Sequence, residues 1–181
     1  MSPWQTRSTR TVYENPWIHV REDEVTHPDG SEGIYGVVEV RHPAVFVVAV
    51  TDADEVVLVR MRRYTMGAET IEVPAGGSDG EDPLLAARRE LREEAGLEAD
   101  SWEDLGEVWS LNGVAHAPGR MFLARGLRPA EEPHEMAVEG ISEVLTVSWP
   151  ELWAMIGRGE ITDGETLAPL LRAAVALGRV R

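Results

Sequence analysis

The sequence predicts an α+β fold, a mixed α/β sandwich, from three observations. β-Branched runs at Val45–Val50 and Val56–Val59 flank the polar segment Thr51-Asp-Ala-Asp-Glu55, as in a buried hairpin. Leu84, Ala87, Leu91 and Ala95 recur at spacings of three and four, the period of an amphipathic helix. Hairpins interleave with such helical segments along the chain, and no internal repeat, low-complexity tract or inter-domain linker interrupts them.

The elements follow in order. Thr11–Val25 and Gly33–Val40 read as two strands joined by the turn sequence His27-Pro28-Asp29-Gly30, a hairpin over residues 1–42 that precedes a main domain over 43–181. After the central hairpin, strand 71–74 leads through a glycine-rich loop into a helix. Asp82 suits its N-cap, Pro83 its first position and Gly96 its left-handed stop. Strands are expected at Glu107–Leu111 and Gly119–Ala124. Arg128–Gly140, rich in proline and glutamate, reads as a mobile loop. Strand 141–147, a helix over Trp149–Gly157 and an amphipathic helix over Leu167–Leu177 complete the chain.

A chain of 181 residues suffices for one domain with a substantial core. Its 17 Lys and Arg against 32 Asp and Glu give a net charge of −15, which disfavours a nucleic-acid partner. Anionic substrates stay admissible, because metal ions and local arginines can invert the sign inside a cleft. With no cysteine there is no disulfide framework, zinc–thiolate site or thiol nucleophile. No signal peptide is evident, and the longest apolar run, Ala44–Val50, is too short to span a bilayer. The expectation is a cytoplasmic protein with no membrane partner.

The helix beginning at Pro83 carries the chemistry. Glu90 lies one turn from both Glu93 and Glu94, so the carboxylates share one face and repel one another unless cations compensate. Arg88, Arg89 and Arg92 supply some compensation. A bound ion would supply more, and oxygen-only ligands suit Mg²⁺ or Mn²⁺ rather than zinc. The alternative is a solvated, salt-bridged helix face.

Glu81, Arg89-Glu90-Leu91, Glu93-Glu94 and Gly96-Leu97 resemble the signature of the Nudix hydrolases at every spacing. One departure stands out: Ala75 occupies the position of the leading glycine, and Gly76-Gly77 follow it. The resemblance implies a mixed α/β/α sandwich of the Nudix type with an extra N-terminal β-hairpin. It implies two or three Mg²⁺ per site, with Mn²⁺ possible, held by Glu90, Glu93, Glu94 and the loop carbonyl of Ala75, and supported by Glu81 and Arg89.

Val59–Gly67 and Ile71–Gly76 resemble the ADP-ribose pyrophosphatase branch, as do the N-terminal hairpin and the closing helix. That branch implies a homodimer whose N-terminal strands cross to the second subunit. It implies hydrolysis of a nucleoside diphosphate linked to X, ADP-ribose or a related nucleotide sugar, to a nucleoside monophosphate and phospho-X. Arg63 would meet substrate phosphates, Glu72 would contact substrate or support a metal, and Trp17 and Tyr35 would stack on the base. Their alternatives are a surface salt bridge for Arg63, a solvated edge for Glu72, and core or interface packing for Trp17.

The catalytic residues implied are Glu139, Glu135 and Glu93, with Glu139 the first choice for accepting the proton of the attacking water. His116 is the alternative base. Asn112-Gly113 and Val114–Pro118 depart from the branch, which keeps two rivals in view. One is a hydrolase of nucleoside triphosphates or dinucleoside polyphosphates, the other a non-catalytic nucleotide sensor on the same fold.

Overall fold

Strand β4 (Ala44–Val50) shows why the main unit has its architecture. Val45, Val47 and Ala49 pack with Ala86, Ala87 and Leu91 of helix α1 (Pro83–Ala95), while Phe46, Val48 and Val50 pack with residues of helices α2 (Trp149–Gly157) and α3 (Gly164–Ala176). Alternate side chains point to opposite faces of a strand, so a strand covered on both faces must be apolar throughout, as Ala44–Val50 is. The result is a sheet sandwiched between helices. In the computed structural model, residues 3–131 and 140–180 are described.

The chain divides into two compact units. The smaller ends at Pro43 and includes Trp109–Pro118; the larger comprises Ala44–Val108 and the chain from Gly119 onward. The larger unit contains a seven-stranded sheet with the order β11 (Ile141–Ser148), β5 (Glu55–Arg63), β4, β10 (Pro118–Pro129) and β8 (Leu97–Trp109). Two short strands complete it, β6 (Ala68–Glu72) beside β5 and β7 (Ala75–Gly77) beside β4. The expected β4–β5 hairpin is present, with Ala49 opposite Val57 and Val50 opposite Val56.

The smaller unit corrects the two-strand reading of the N-terminus. Its sheet has the order β1 (Gln5–Glu14), β2 (Ile18–Thr26), β3 (Glu32–Val40) and β9 (Ala115–His116). The run taken as one strand breaks at Asn15, whose side-chain oxygen accepts from the N–H groups of Trp17 (2.9 Å) and Ile18 (2.8 Å), while Pro16 has no N–H for a ladder. The expected His27–Gly30 turn joins β2 to β3, with Gly30 at φ 87°. β9 pairs in parallel with β3, a contact between segments far apart in sequence.

Three further boundaries move. β8 runs from Leu97 to Trp109, where only its end at 107 was expected, because most of it is exposed or half-exposed and lacks an apolar alternation. β10 extends to Pro129, so the expected loop starts later than Arg128. α3 starts at Gly164, three residues early, because Asp163 caps it by accepting from the Thr166 N–H at 2.7 Å.

Candidate active site

Helix α1 positions the acidic cluster. Asp82 accepts from the N–H groups of Leu84 (2.9 Å) and Leu85 (3.4 Å), Pro83 occupies the first turn, and Gly96 closes the helix at φ 65°. Packing of Ala86, Ala87 and Leu91 against the sheet then fixes the rotation of the helix. That rotation carries Glu90 and Glu94 inward, to 7% and 3% exposure, and leaves Glu93 half-exposed. The solvated-face alternative therefore does not describe Glu90 and Glu94.

The two buried carboxylates meet the same short strand. Glu94 accepts from the Ala75 N–H at 2.8 Å. A Cβ built on Gly76 would overlap the Glu90 carboxylate, so this approach requires glycine. Val47 donates to the Pro74 carbonyl, which leaves Ala75 pointing away from β4. In extended chain the N–H and C=O of one residue point the same way, so the Ala75 carbonyl faces the side on which Glu94 lies.

Arg89 ties the cluster together. It donates through Nη1 to Glu90 (2.8 Å) and Glu93 (3.0 Å), through Nη2 to the Gly77 carbonyl (2.9 Å), and through Nε to Glu81 (3.3 Å). Partial burial works to lower its pKa, but the fields of Glu90 and Glu93 and the hydrogen bonds to Glu93 and Glu81 outweigh this and raise it. Glu81 and Arg89 thus brace the loop and the glutamates. The Gly77 carbonyl was missed by sequence reasoning, and only its place after Gly76 hinted at it.

Arg63 and Glu72 form a second cluster on the paired strands β5 and β6. Arg63 Nε and Nη2 reach the two Glu72 oxygens at 2.9 and 2.6 Å. Glu72 is only 5% exposed, so it is not a solvated edge carboxylate. Burial works to raise its pKa, and the Arg63 fork together with the Thr70 hydroxyl, which donates at 2.6 Å, brings the net shift below the ordinary range. For Arg63 the Glu72 hydrogen bond dominates and raises the pKa, and the fields of Glu94 and Asp163 add to it. Thr70 was also missed, although its place two residues before Glu72 on one strand face was readable.

Trp17 and Tyr35 do not meet within one chain. Tyr35 stands opposite Asp23 in the β2–β3 ladder, whereas the Trp17 carbonyl accepts from the Arg41 N–H at the other end. Six residues of extended chain separate those rows, about 20 Å. Trp17 is 69% exposed; Tyr35 is half-buried, edge-on to Trp4 at 5.6 Å, with its hydroxyl donating to the Gly113 carbonyl at 2.6 Å. His116 lies on β9, exposed and edge-on to Trp109 at 5.3 Å. Glu135 and Glu139 lie outside the described residues.

A divalent ion fits the donor set at α1. Among the described residues no three histidine, aspartate or glutamate side chains enclose a point by themselves. The available donors are hard oxygens, a few carboxylates beside a backbone carbonyl, which is the pattern Mg²⁺ completes with water and substrate phosphate. The fold and this helix define a hydrolase scaffold whose oxygen donors are of the kind that suits a divalent ion.

Residues 40–170 match the family model for the NUDIX domain, and residues 4–38 match one described as the nucleoside diphosphate sugar hydrolase N-terminal domain. The chain belongs to the Nudix family, whose hydrolases generally use divalent metal ions. It is 34% identical to an ADP-ribose pyrophosphatase of Mycobacterium tuberculosis over 93% of this chain and 82% of that protein. It is 28% identical to a methanol dehydrogenase activator of Bacillus methanolicus over 90% of this chain and 88% of that protein. A crystal structure of an ADP compounds hydrolase shares the fold, with a TM-score of 0.82, 19% identity and coverage of 98% of this chain and 97% of that one. No helix among the described residues is long and apolar enough to cross a membrane.

Proposed function

We propose that this chain hydrolyses the diphosphate of a nucleoside diphosphate linked to X, with ADP-ribose or a related nucleotide sugar as substrate, to a nucleoside monophosphate and phospho-X. The observation that carries the reading is the convergence of Glu90 and Glu94 on Ala75-Gly76, with Arg89 holding Glu90 and Glu93 together. The likeness of the whole chain to an ADP-ribose pyrophosphatase supports the choice of substrate.

Glu90, Glu93, Glu94 and the Ala75 carbonyl would hold two or three Mg²⁺ or Mn²⁺. When bound, such ions neutralise charge on the diphosphate oxygens and acidify water. The chain's own residues supply position. Arg89 and Glu81 keep the loop against α1. Arg63 is a planar, permanently charged fork with 42% of its side chain exposed, so it can meet substrate phosphate while Glu72 fixes its orientation. Glu139 or Glu135 would take the proton of the attacking water.

The active form would be a homodimer. β1 is exposed along its whole length and presents Val12 and Tyr13, and a long exposed edge strand invites pairing with another chain. A second copy would also be needed for Trp17 and Tyr35 to enclose one base.

The test is a hydrolysis panel of ADP-ribose, other nucleotide sugars, dinucleoside polyphosphates and nucleoside triphosphates, with Mg²⁺ or Mn²⁺. It compares the native chain with Glu93→Gln plus Glu94→Gln. The expected result is metal-dependent release of AMP from ADP-ribose, lost in the double variant. A folded, metal-supplied native chain that cleaves nothing would sink the enzyme reading and leave nucleotide sensing.

A further inference from the structure

We propose that the outward side of α1 is a second ligand site, a phosphate-binding cavity built from Arg88, Arg92 and Arg128 around Trp102. The cavity measures about 400 Å³, and Glu98 and Asp100 also line it. It lies wholly in the larger unit and shares no lining residue with the glutamate cluster.

The site is built from the helix outward. Arg88 and Arg92 are four residues apart and so neighbour each other on one face. The Arg88 guanidinium carbon sits 5.8 Å from the centre of the Trp102 ring, which holds the charge over an aromatic face. Trp102 is itself anchored, donating through Nε1 to the Ala99 carbonyl at 3.1 Å and standing edge-on to Phe122 at 6.4 Å. Arg128 is steered by Glu98 and by Asp100, the latter 3.6 Å from its Nε.

Charge identifies the ligand. Arg128 is spent on the two lining carboxylates, whereas neither Arg88 nor Arg92 forms an ion pair among the described residues. Two like charges one turn apart destabilise a helix. Arg88 rests over the Trp102 face and Arg92 stands in the last turn of α1, so both guanidinium forks line the cavity while Glu98 and Asp100 are engaged by Arg128, which leaves the forks open to an anion. Guanidinium forks match phosphate oxygens bidentately, and the cavity is large enough for a phosphate with a ring or sugar attached. The inference does not rest on the hydrolase reading, since it needs neither metal nor turnover.

The test follows the Trp102 indole N–H and the arginine Nε–H signals by ¹H–¹⁵N NMR, with EDTA present. Inorganic phosphate and AMP are titrated separately at fixed ionic strength. Both should give saturable shifts, and Arg88→Gln plus Arg92→Gln should weaken binding about tenfold or more, the loss of at least one charge-assisted hydrogen bond. Glu93→Gln plus Glu94→Gln should bind as the native chain does. Equal affinities for phosphate and AMP assign recognition to the phosphate alone, and tighter AMP binding adds the Trp102 wall.

Arg88→Lys plus Arg92→Lys keeps the charge and loses the forks, and should fall between the native chain and the glutamine variant. The unchanged backbone spectrum of that variant guards against misfolding. Absence of saturable shifts, the same shifts from sodium chloride at matched ionic strength, or undiminished affinity in the glutamine variant would overturn the site.

Discussion

Gly76 and Glu72 show how single residues separate function from stability. In Gly76→Ala the atoms nearest the new methyl are those of the Glu90 carboxylate, the far end of a flexible side chain, so the fold should lose about 1–2 kcal/mol while the carboxylate is displaced from Arg89. Calorimetric titration with Mn²⁺ should show metal affinity about tenfold or more weaker with only a modest fall in melting temperature. A large fall in stability at native metal affinity would refute this account of the glycine. Glu72→Gln acts the other way. The native carboxylate has a pKa below its ordinary 4.5, so it stabilises the fold above that pH and the contribution fades as pH falls through the lowered value. The substitution should cost about 1–2 kcal/mol near neutral pH, moderated by the solvent access of Arg63, and almost nothing in acid. Urea denaturation at both pH values checks it; an equal loss at both would mean that packing, not charge, matters at this position.

At the scale of elements, α1 was the most legible part of the chain. Its caps and apolar stripe are set by neighbours within a turn, and Asp82, Pro83 and Gly96 all take the expected places. Asp82→Ala should therefore cost about 1 kcal/mol in thermal or denaturant unfolding, with no effect expected for a merely solvated aspartate. β8 and β9 were not legible to the same degree. β8 is largely exposed, so burial writes no alternation into it, and β9 is a strand only because β3 lies beside it. The two-strand reading of the N-terminus failed for a local reason that could have been weighed: Asn15-Pro16 is a turn signal inside an otherwise strand-like run.

For the whole molecule, the exposed β1 edge leads to a prediction about assembly. Sedimentation velocity should give about twice the chain mass, and Val12→Asp plus Tyr13→Lys should shift it to the monomer and lower turnover together. A native chain that stays monomeric at assay concentrations while hydrolysing ADP-ribose at full rate would remove the dimer from the proposal. Spacing alone was enough for the α+β class, the buried β4–β5 hairpin and the caps of α1, since each depends on residues a few positions apart. It could not say that Glu90 and Glu94 are buried against Ala75-Gly76, that Arg89 links the glutamates, or that Glu72 grips Arg63. Those pairings exist because β7 hydrogen-bonds to β4 and β6 to β5, which sets the loop and the strands at a fixed distance from α1 and its neighbours. A helix specifies which of its side chains share a face, but only the segment packed against that face decides which of them lose water and what they then bind.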